Sequence, residues 1–312
     1  MEALLTDFAR DGVWQSFTAD RSKVDRYSDD VDFHLGATAA TESFGRAAAD
    51  VLRRHAFLLI QPDCTARRKA GRCLDFVEQR GFRPVHTVRV RLDDWMVERL
   101  WSFGSASWTT DSNTICDLVC GYSDSLLVVL RDDAPEPDLP ASVRLTRLKG
   151  SAQPDRRSAE HLRTVIGADG PLVVLIHTSD EPLDMIREAA ILCPSSPEEL
   201  YSAMTRPSND GRKQLLGLIE ELNRESPGHD LDPDAAATRL RDAVVAAADQ
   251  PGSHAVAQQL LAALSAARSG TAFLDWQPFV DGLRRLGLDP EGWDPIVIGS
   301  RYVRLIAEGT EQ

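Results

Sequence analysis

Between residues 56 and 205 short apolar runs alternate with stretches in which apolar positions recur every three or four residues. Phe57 to Ile60 reads as a buried strand, and residues 66–80 form an amphipathic helix that Gly81 ends, in the position where a left-handed cap is wanted. Val85 to Leu92 alternates, with Val88, Val90 and Leu92 on one face and Arg89 and Arg91 on the other, which predicts a half-buried strand. Helical stretches over about 95–101 and 114–122 lead to a strand at Leu126 to Leu130. The acidic, proline-rich residues 132–140 form a loop; Leu172 to Ile176 is the last strand, and a helix follows over about 181–192. The order β-α-β-α-α-β-loop-β-α predicts an α+β fold with helices covering a small sheet.

The flanks have a different pattern. Residues 1–55 are polar and irregular until Phe44, Ala47, Ala48, Val51 and Leu52 mark a helix over about 41–54. In residues 206–312 Ala, Leu, Asp and Arg dominate, and Leu215 with Ile219, Leu240 with Val244, Leu260 with Leu264, and Phe279 with Leu283 mark four helices of a bundle. Ile296 to Ile306 carries two β-rich runs around Gly299-Ser300, which predicts a closing β-hairpin. Three segments result: an N-terminal extension over 1–55, an α+β domain over 56–205 and a helical domain over 206–312.

At 312 residues the chain exceeds the usual size of one domain, about 100 to 200 residues, in keeping with that division. Its 48 acidic and 35 basic side chains give a net charge of −13, which argues against affinity built on neutralising nucleic-acid phosphates. The apolar runs are far shorter than the roughly 20 residues that span a bilayer. Met1 to Asp7 has neither the basic nor the long apolar region of a secretion signal, so the expectation is a cytoplasmic protein without a membrane segment. The five cysteines lack CxxC spacing and suit reduced thiols better than disulfides or a zinc site. Asp29 to His34 and His229 to Asp234 look superficially like metal ligands, but aspartate ahead of a helix more often caps it, so no metal site is assigned.

The run Leu59-Ile60-Gln61-Pro62-Asp63-Cys64-Thr65-Ala66-Arg67-Arg68-Lys69-Ala70-Gly71, followed by Phe76-Val77-Glu78-Gln79-Arg80-Gly81-Phe82, resembles the opening strand and helix of nucleoside diphosphate kinases. His177-Thr178-Ser179-Asp180 is similar to that family's histidine signature, Glu188 falls where the family has the glutamate that steadies the histidine, and Pro197-Glu198-Glu199-Leu200 matches a run near its C-terminus. The likeness covers about residues 56–205. It implies a ferredoxin-like sandwich of the nucleoside diphosphate kinase type, with a mainly helical C-terminal domain added. The activity implied is phosphoryl transfer from a nucleoside triphosphate to a diphosphate through a phosphohistidine at His177, with Mg2+ accompanying the nucleotide. By the same resemblance Glu188 and Ser179 support the histidine, and Gln61, Arg67, Arg147 and Arg163 fall at or beside the nucleotide-binding positions.

The chemistry of His177 also follows from its residue type. A neutral imidazole is a nucleophile near neutral pH, and a carboxylate such as Glu188 on the next helix can hold one ring nitrogen while the other attacks phosphorus. The departures from the pattern fall in the phosphate-binding positions. Gln61 stands where the family has a lysine, Cys64 and Thr178 replace glycines, Val174 replaces an asparagine, and Ala152 replaces a threonine. Loss of one charge-assisted phosphate contact costs on the order of 3 kcal/mol, or roughly a hundredfold in rate. Three readings follow: a divergent phosphotransferase with a specialised phosphoryl acceptor, a catalytically impaired nucleotide-binding or regulatory module, and a structural partner-binding domain. A homo-oligomer is compatible with each.

Overall fold

The computed structural model describes residues 17–206 and 211–307. Four strands, β1 (His55–Ile60), β2 (Phe82–Val90), β3 (Ser125–Asp132) and β4 (Ile176–Thr178), form one sheet in the order β2-β3-β1-β4, and every pairing is antiparallel. Among the described residues, α1 (Arg21–Tyr27), α2 (Val31–Phe44) and α3 (Ala48–Arg53) precede the sheet. α4 (Pro62–Ala66) and α5 (Ala70–Gln79) join β1 to β2, while α6 (Asp94–Trp101) and α7 (Thr110–Gly121) join β2 to β3. α8 (Ala141–Lys149) and α9 (Leu162–Ile166) lie between β3 and β4; α10 (Pro182–Leu192) and α11 (Pro197–Met204) follow. With β1 and β3 central, this is the ferredoxin-like α+β order. The C-terminal part is helical: α12 (Arg212–Glu225), α13 (Pro233–Ala247), α14 (His254–Arg268), α15 (Trp276–Arg285) and α16 (Trp293–Tyr302).

The central strands are apolar along their whole length because both faces of the sheet are covered. Ala56, Leu58 and Ile60 of β1, with Leu126, Val128 and Leu130 of β3, enter a core shared with α5, α8 and the C-terminal helices. Phe57 and Leu59, with Leu127 and Val129, enter a second core built from α2, α10 and α11. Successive side chains of a strand point to opposite faces, so a strand feeding two cores shows no polar alternation. Both flanks of the sequence therefore belong to the packing of the sheet.

Local chemistry sets the helix ends. Asp30 caps α2 by accepting the Phe33 N–H at 2.9 Å, and its carboxylate also pairs with Arg187, while Asp32 pairs with Arg99. Asp232 caps α13 through the Ala235 N–H at 2.8 Å, and Asp230 pairs with Arg239. Both acidic runs thus spend carboxylates on caps and ion pairs. Gly81 takes φ 81 directly after α5, which makes the sharp entry into β2.

Four expectations are corrected. The helix expected over 66–80 is two, because Arg68 takes φ 58 between α4 and α5. That expected over 41–54 starts ten residues earlier, as α2, and breaks at Gly45, φ 52. The last strand is Ile176–Thr178 rather than Leu172 to Ile176, since Leu175 at φ 67 cannot continue an extended run. The closing hairpin is absent: Ile296 to Ser300 are buried residues of α16, and Ile306 alone makes an isolated bridge, to Trp108. Burial on all sides overrides the β-propensity of Ile and Val there. A Cβ on Gly299 would meet the Trp276 ring at 2.6 Å and Ile115 Cδ1 at 2.8 Å, so glycine permits the close approach of α16 to α15 and α7.

α2 lies against α10, the helix that carries Glu188, and the contact is closest at Gly36, where a Cβ would collide with the backbone carbonyl of Ile186. Gly36→Ala is expected to lower stability by about 1–3 kcal/mol through forced separation of the two helices, as read by chemical denaturation. An unchanged midpoint would mean that α2 can move off α10 freely.

Candidate active site

β4 is an edge strand of three residues, with His177 opposite Leu59 of β1 and Ile176 opposite Ile60. Its approach is bent by Leu175, a non-glycine residue at φ 67, where backbone strain is stored. The corner after β1 holds that conformation from both sides. The Leu175 N–H donates to Asp63 Oδ2 at 2.9 Å, and the Gln61 N–H donates to the Leu175 carbonyl at 3.1 Å. Asp63 is fully buried and also accepts the Cys64 N–H at 3.0 Å. Burial pushes its carboxyl up to about 6 against the pull of these hydrogen bonds and of Arg163.

Beyond the bend, the His177 ring is fixed by α10. Its Nε2 is 3.1 Å from Glu188 Oε1, and Ser179 Oγ donates to Glu188 Oε2 at 2.6 Å. Both carboxylate oxygens are thereby engaged, and the hydrogen-bond network assigns the proton to Nε2. Nδ1 has no hydrogen-bond partner among the described residues, and the His177 side chain is 15% exposed. The Trp101 ring at the end of α6 packs against the imidazole edge-on, with centroids 5.6 Å apart.

Two cations stand behind this group. Lys149, at the end of α8, is buried and pairs with Asp180 Oδ1 at 3.2 Å. Burial lowers its amine pKa, with Asp180 pulling the other way. The Asp180 carboxyl is raised by desolvation but lowered more by Lys149 and by the nearness of His177, and it ends below its ordinary value. Arg163 is buried, donates to the carbonyls of Gly150 at 3.0 Å and Ile176 at 2.9 Å, and keeps an unpartnered Nε among the described residues. Burial lowers its pKa to about 10.

The structure thus brings His177, Ser179 and Glu188 into direct contact and sets Arg163 against the residue preceding the histidine. The other candidates lie apart. Gln61 follows β1 beside β4, but its side chain is buried and donates to Cys120 Sγ at 3.2 Å, leaving Oε1 without a partner among the described residues. Arg67 turns toward the C-terminal region, donating to the carbonyls of Gly167 and Asp230 and pairing with Asp169 at 2.8 Å. Arg147 is exposed on α8, with no ion pair among the described residues. Sequence reasoning missed the clamp of Asp63 on Leu175, whose partners lie 112 positions apart. The only signal was the place of Asp63 in the Pro62-Asp63 motif.

No protein-family profile and no curated protein matches the chain. Solved structures of nucleoside diphosphate kinases are similar to it in fold. The enzyme from Encephalitozoon cuniculi aligns with a TM-score of 0.38 at 18% identity, covering 45% of this chain and 88% of that one. The enzyme from Aquifex aeolicus aligns with a TM-score of 0.37 at 17% identity, covering 44% of this chain and 93% of that one. The halophilic enzyme from Halobacterium salinarum, solved in complex with CDP, gives 0.34 at 16% identity over 50% of this chain and 89% of its own.

The Asp63 carboxyl has an ordinary pKa of 3.8 and is held at about 6 in the folded protein, which therefore binds this proton more tightly than the unfolded chain. That contribution to stability is full below about pH 3.8 and is lost as pH rises through about 6. Measured against Asp63→Asn, which does not titrate, the wild type should lose about 2–3 kcal/mol of stability between mildly acid and neutral pH. Urea denaturation at both pH values reads the difference; a gap that stays constant would show that Asp63 titrates normally.

Proposed function

We propose that this protein is a phosphotransferase in which His177 Nδ1 accepts the terminal phosphoryl group of a nucleoside triphosphate. The observation that carries the reading is the pairing of Nε2 with a glutamate whose second oxygen is also held, by Ser179. A ring fixed in this way presents the Nδ1 lone pair in one direction and keeps its proton on the far side. Attack forms a P–N bond and breaks the bond between the terminal phosphorus and the bridging oxygen, so the nucleoside diphosphate leaves with the electron pair. In the second half an acceptor oxygen attacks the phosphorus, the P–N bond breaks, and Nδ1 regains its lone pair. Phosphoryl transfer asks for positioning and for positive charge around the equatorial oxygens. Lys149 and Arg163 are the cations at this corner.

Magnesium would come with the nucleotide phosphates and supply charge neutralisation there. The donor set fits such a shared ion better than a resident one. No group of three or more metal-ligating side chains converges among the described residues, and Asp180, which pairs with Lys149 through Oδ1, is the carboxylate that would share such an ion.

One observation favours a second reading, a nucleotide-binding regulatory module. Of the four side chains expected to bind nucleotide, Gln61 is buried on Cys120 and Arg67 is held by Asp169 and the Asp230 carbonyl. The two readings separate on covalent chemistry. Incubation with γ-labelled ATP or GTP and magnesium should label the wild type with an acid-labile, base-stable bond, and His177→Ala should abolish the label. Glu188→Gln should slow labelling by about one to two orders of magnitude, the usual cost of losing a residue that orients a reactive histidine. Saturable nucleotide binding without any label from either donor would favour the regulatory module.

A further inference from the structure

Trp101, whose ring packs edge-on against His177, is also one wall of a cleft of about 370 Å³ between α6, α7 and the loop that joins them. That volume is within the range of small-molecule sites, about 300–1,000 Å³. Two indoles, Trp101 and Trp108, are among its walls, and its charged lining residues are all acidic: Asp94, Glu98 and Asp117. Neither a lysine, an arginine nor a histidine lines it among the described residues. None of the three carboxylates makes an ion pair among the described residues; Arg99, the arginine of α6, is taken by Asp32. The cleft is therefore acidic by its lining, and desolvation, then the like charges of Asp94 and Glu98, push the Asp117 carboxyl up to about 6.

The cleft is also braced from outside. The chain after α16 runs along the α6–α7 loop, with Ala307 N–H donating to the Ser107 carbonyl at 2.9 Å and Thr109 N–H to the Leu305 carbonyl at 3.1 Å. The bridge between Trp108 and Ile306 fixes the backbone that carries the second indole. Walls set by tertiary contacts before a ligand arrives reduce the ordering cost of binding.

Aromatic faces combined with carboxylates select positive charge on an apolar body, since indole attracts a cation through its quadrupole and the carboxylates pair with it. A bare metal ion is a poorer match, because these oxygens do not gather into a metal-ligating group. A polyphosphate chain is repelled. We propose that this cleft binds an organic cation, a primary ammonium or a guanidinium group carried on an aromatic or alkyl body. The site stands whether or not His177 is phosphorylated, and Trp101 is shared between its wall and the edge-on contact with the imidazole.

Isothermal titration calorimetry of the full chain with phenethylammonium, and with 2-phenylethanol as its neutral counterpart, tests this at low ionic strength. Saturable binding of phenethylammonium is expected, with 2-phenylethanol at least about tenfold weaker. Glu98→Gln and Asp117→Asn should each weaken phenethylammonium several-fold and leave 2-phenylethanol unchanged. Both variants should melt no lower than the wild type, since each relieves repulsion between like charges, and this separates lost binding from lost folding. Equal binding of the two probes, no saturable heat from either, or variants that bind phenethylammonium as well as the wild type would overturn the proposal. The labelling experiment on His177 is independent of all these outcomes.

Discussion

A sheet whose central strands are apolar on both faces has to be covered twice, and the rest of this molecule is arranged by that requirement. Six consecutive residues of β1, His55 to Ile60, are buried, and β3 is nearly as enclosed. The helices between the strands are too few to cover both surfaces. α2, from the N-terminal extension, lies with α10 on one face, and the C-terminal helices extend the core on the other. At roughly 25 cal/mol per Å² of apolar surface removed from water, leaving either face bare would outweigh the marginal stability of a typical domain.

The same packing places the candidate site. Glu188 sits on α10, which is buried along its length between β1 and α2, so its carboxylate has little freedom to leave His177. The histidine itself is aimed by a strained residue held by the buried corner after β1. Leu175 at φ 67 would relax if Asp63 and the Gln61 N–H did not hold its two backbone groups. The strained residue lies two positions before His177.

Arg67 and Arg68, which follow the Gln61-Pro62-Asp63 corner, both reach the C-terminal region, Arg67 through the Asp230 carbonyl and Arg68 through Asn223 and the Ser226 carbonyl, while Arg67 also pairs with Asp169 ahead of β4. Lys149 pairs with Asp180 and Arg163 donates to the carbonyl of Ile176, just before the histidine, while the cleft walled by Trp101 carries carboxylates. The C-terminal region thus does two things: it draws cations away from the corner, and it braces the wall of the cleft beside it.

Local pattern alone determined much of the architecture. The apolar run of β1, the amphipathic α5 closed by Gly81, the helix α10 behind the Ser179-Asp180 turn and the helical C-terminal region are readable because each is specified by residues within a few positions of one another. The pairing of His177 with Glu188 was legible for the same reason, being eleven residues apart across one strand-to-helix turn. Tertiary structure alone decided the rest. α16 is buried on every side, so its sequence has no polar face from which a helical period could be read. Arg67 can pair with a phosphate and Gln61 can donate to one, yet their directions are set by Asp230 and by Cys120. The carboxylates of the cleft lie on two helices, where only the fold makes them neighbours. A residue type states what a side chain can do; the partner it meets, often more than a hundred positions away, decides what it does.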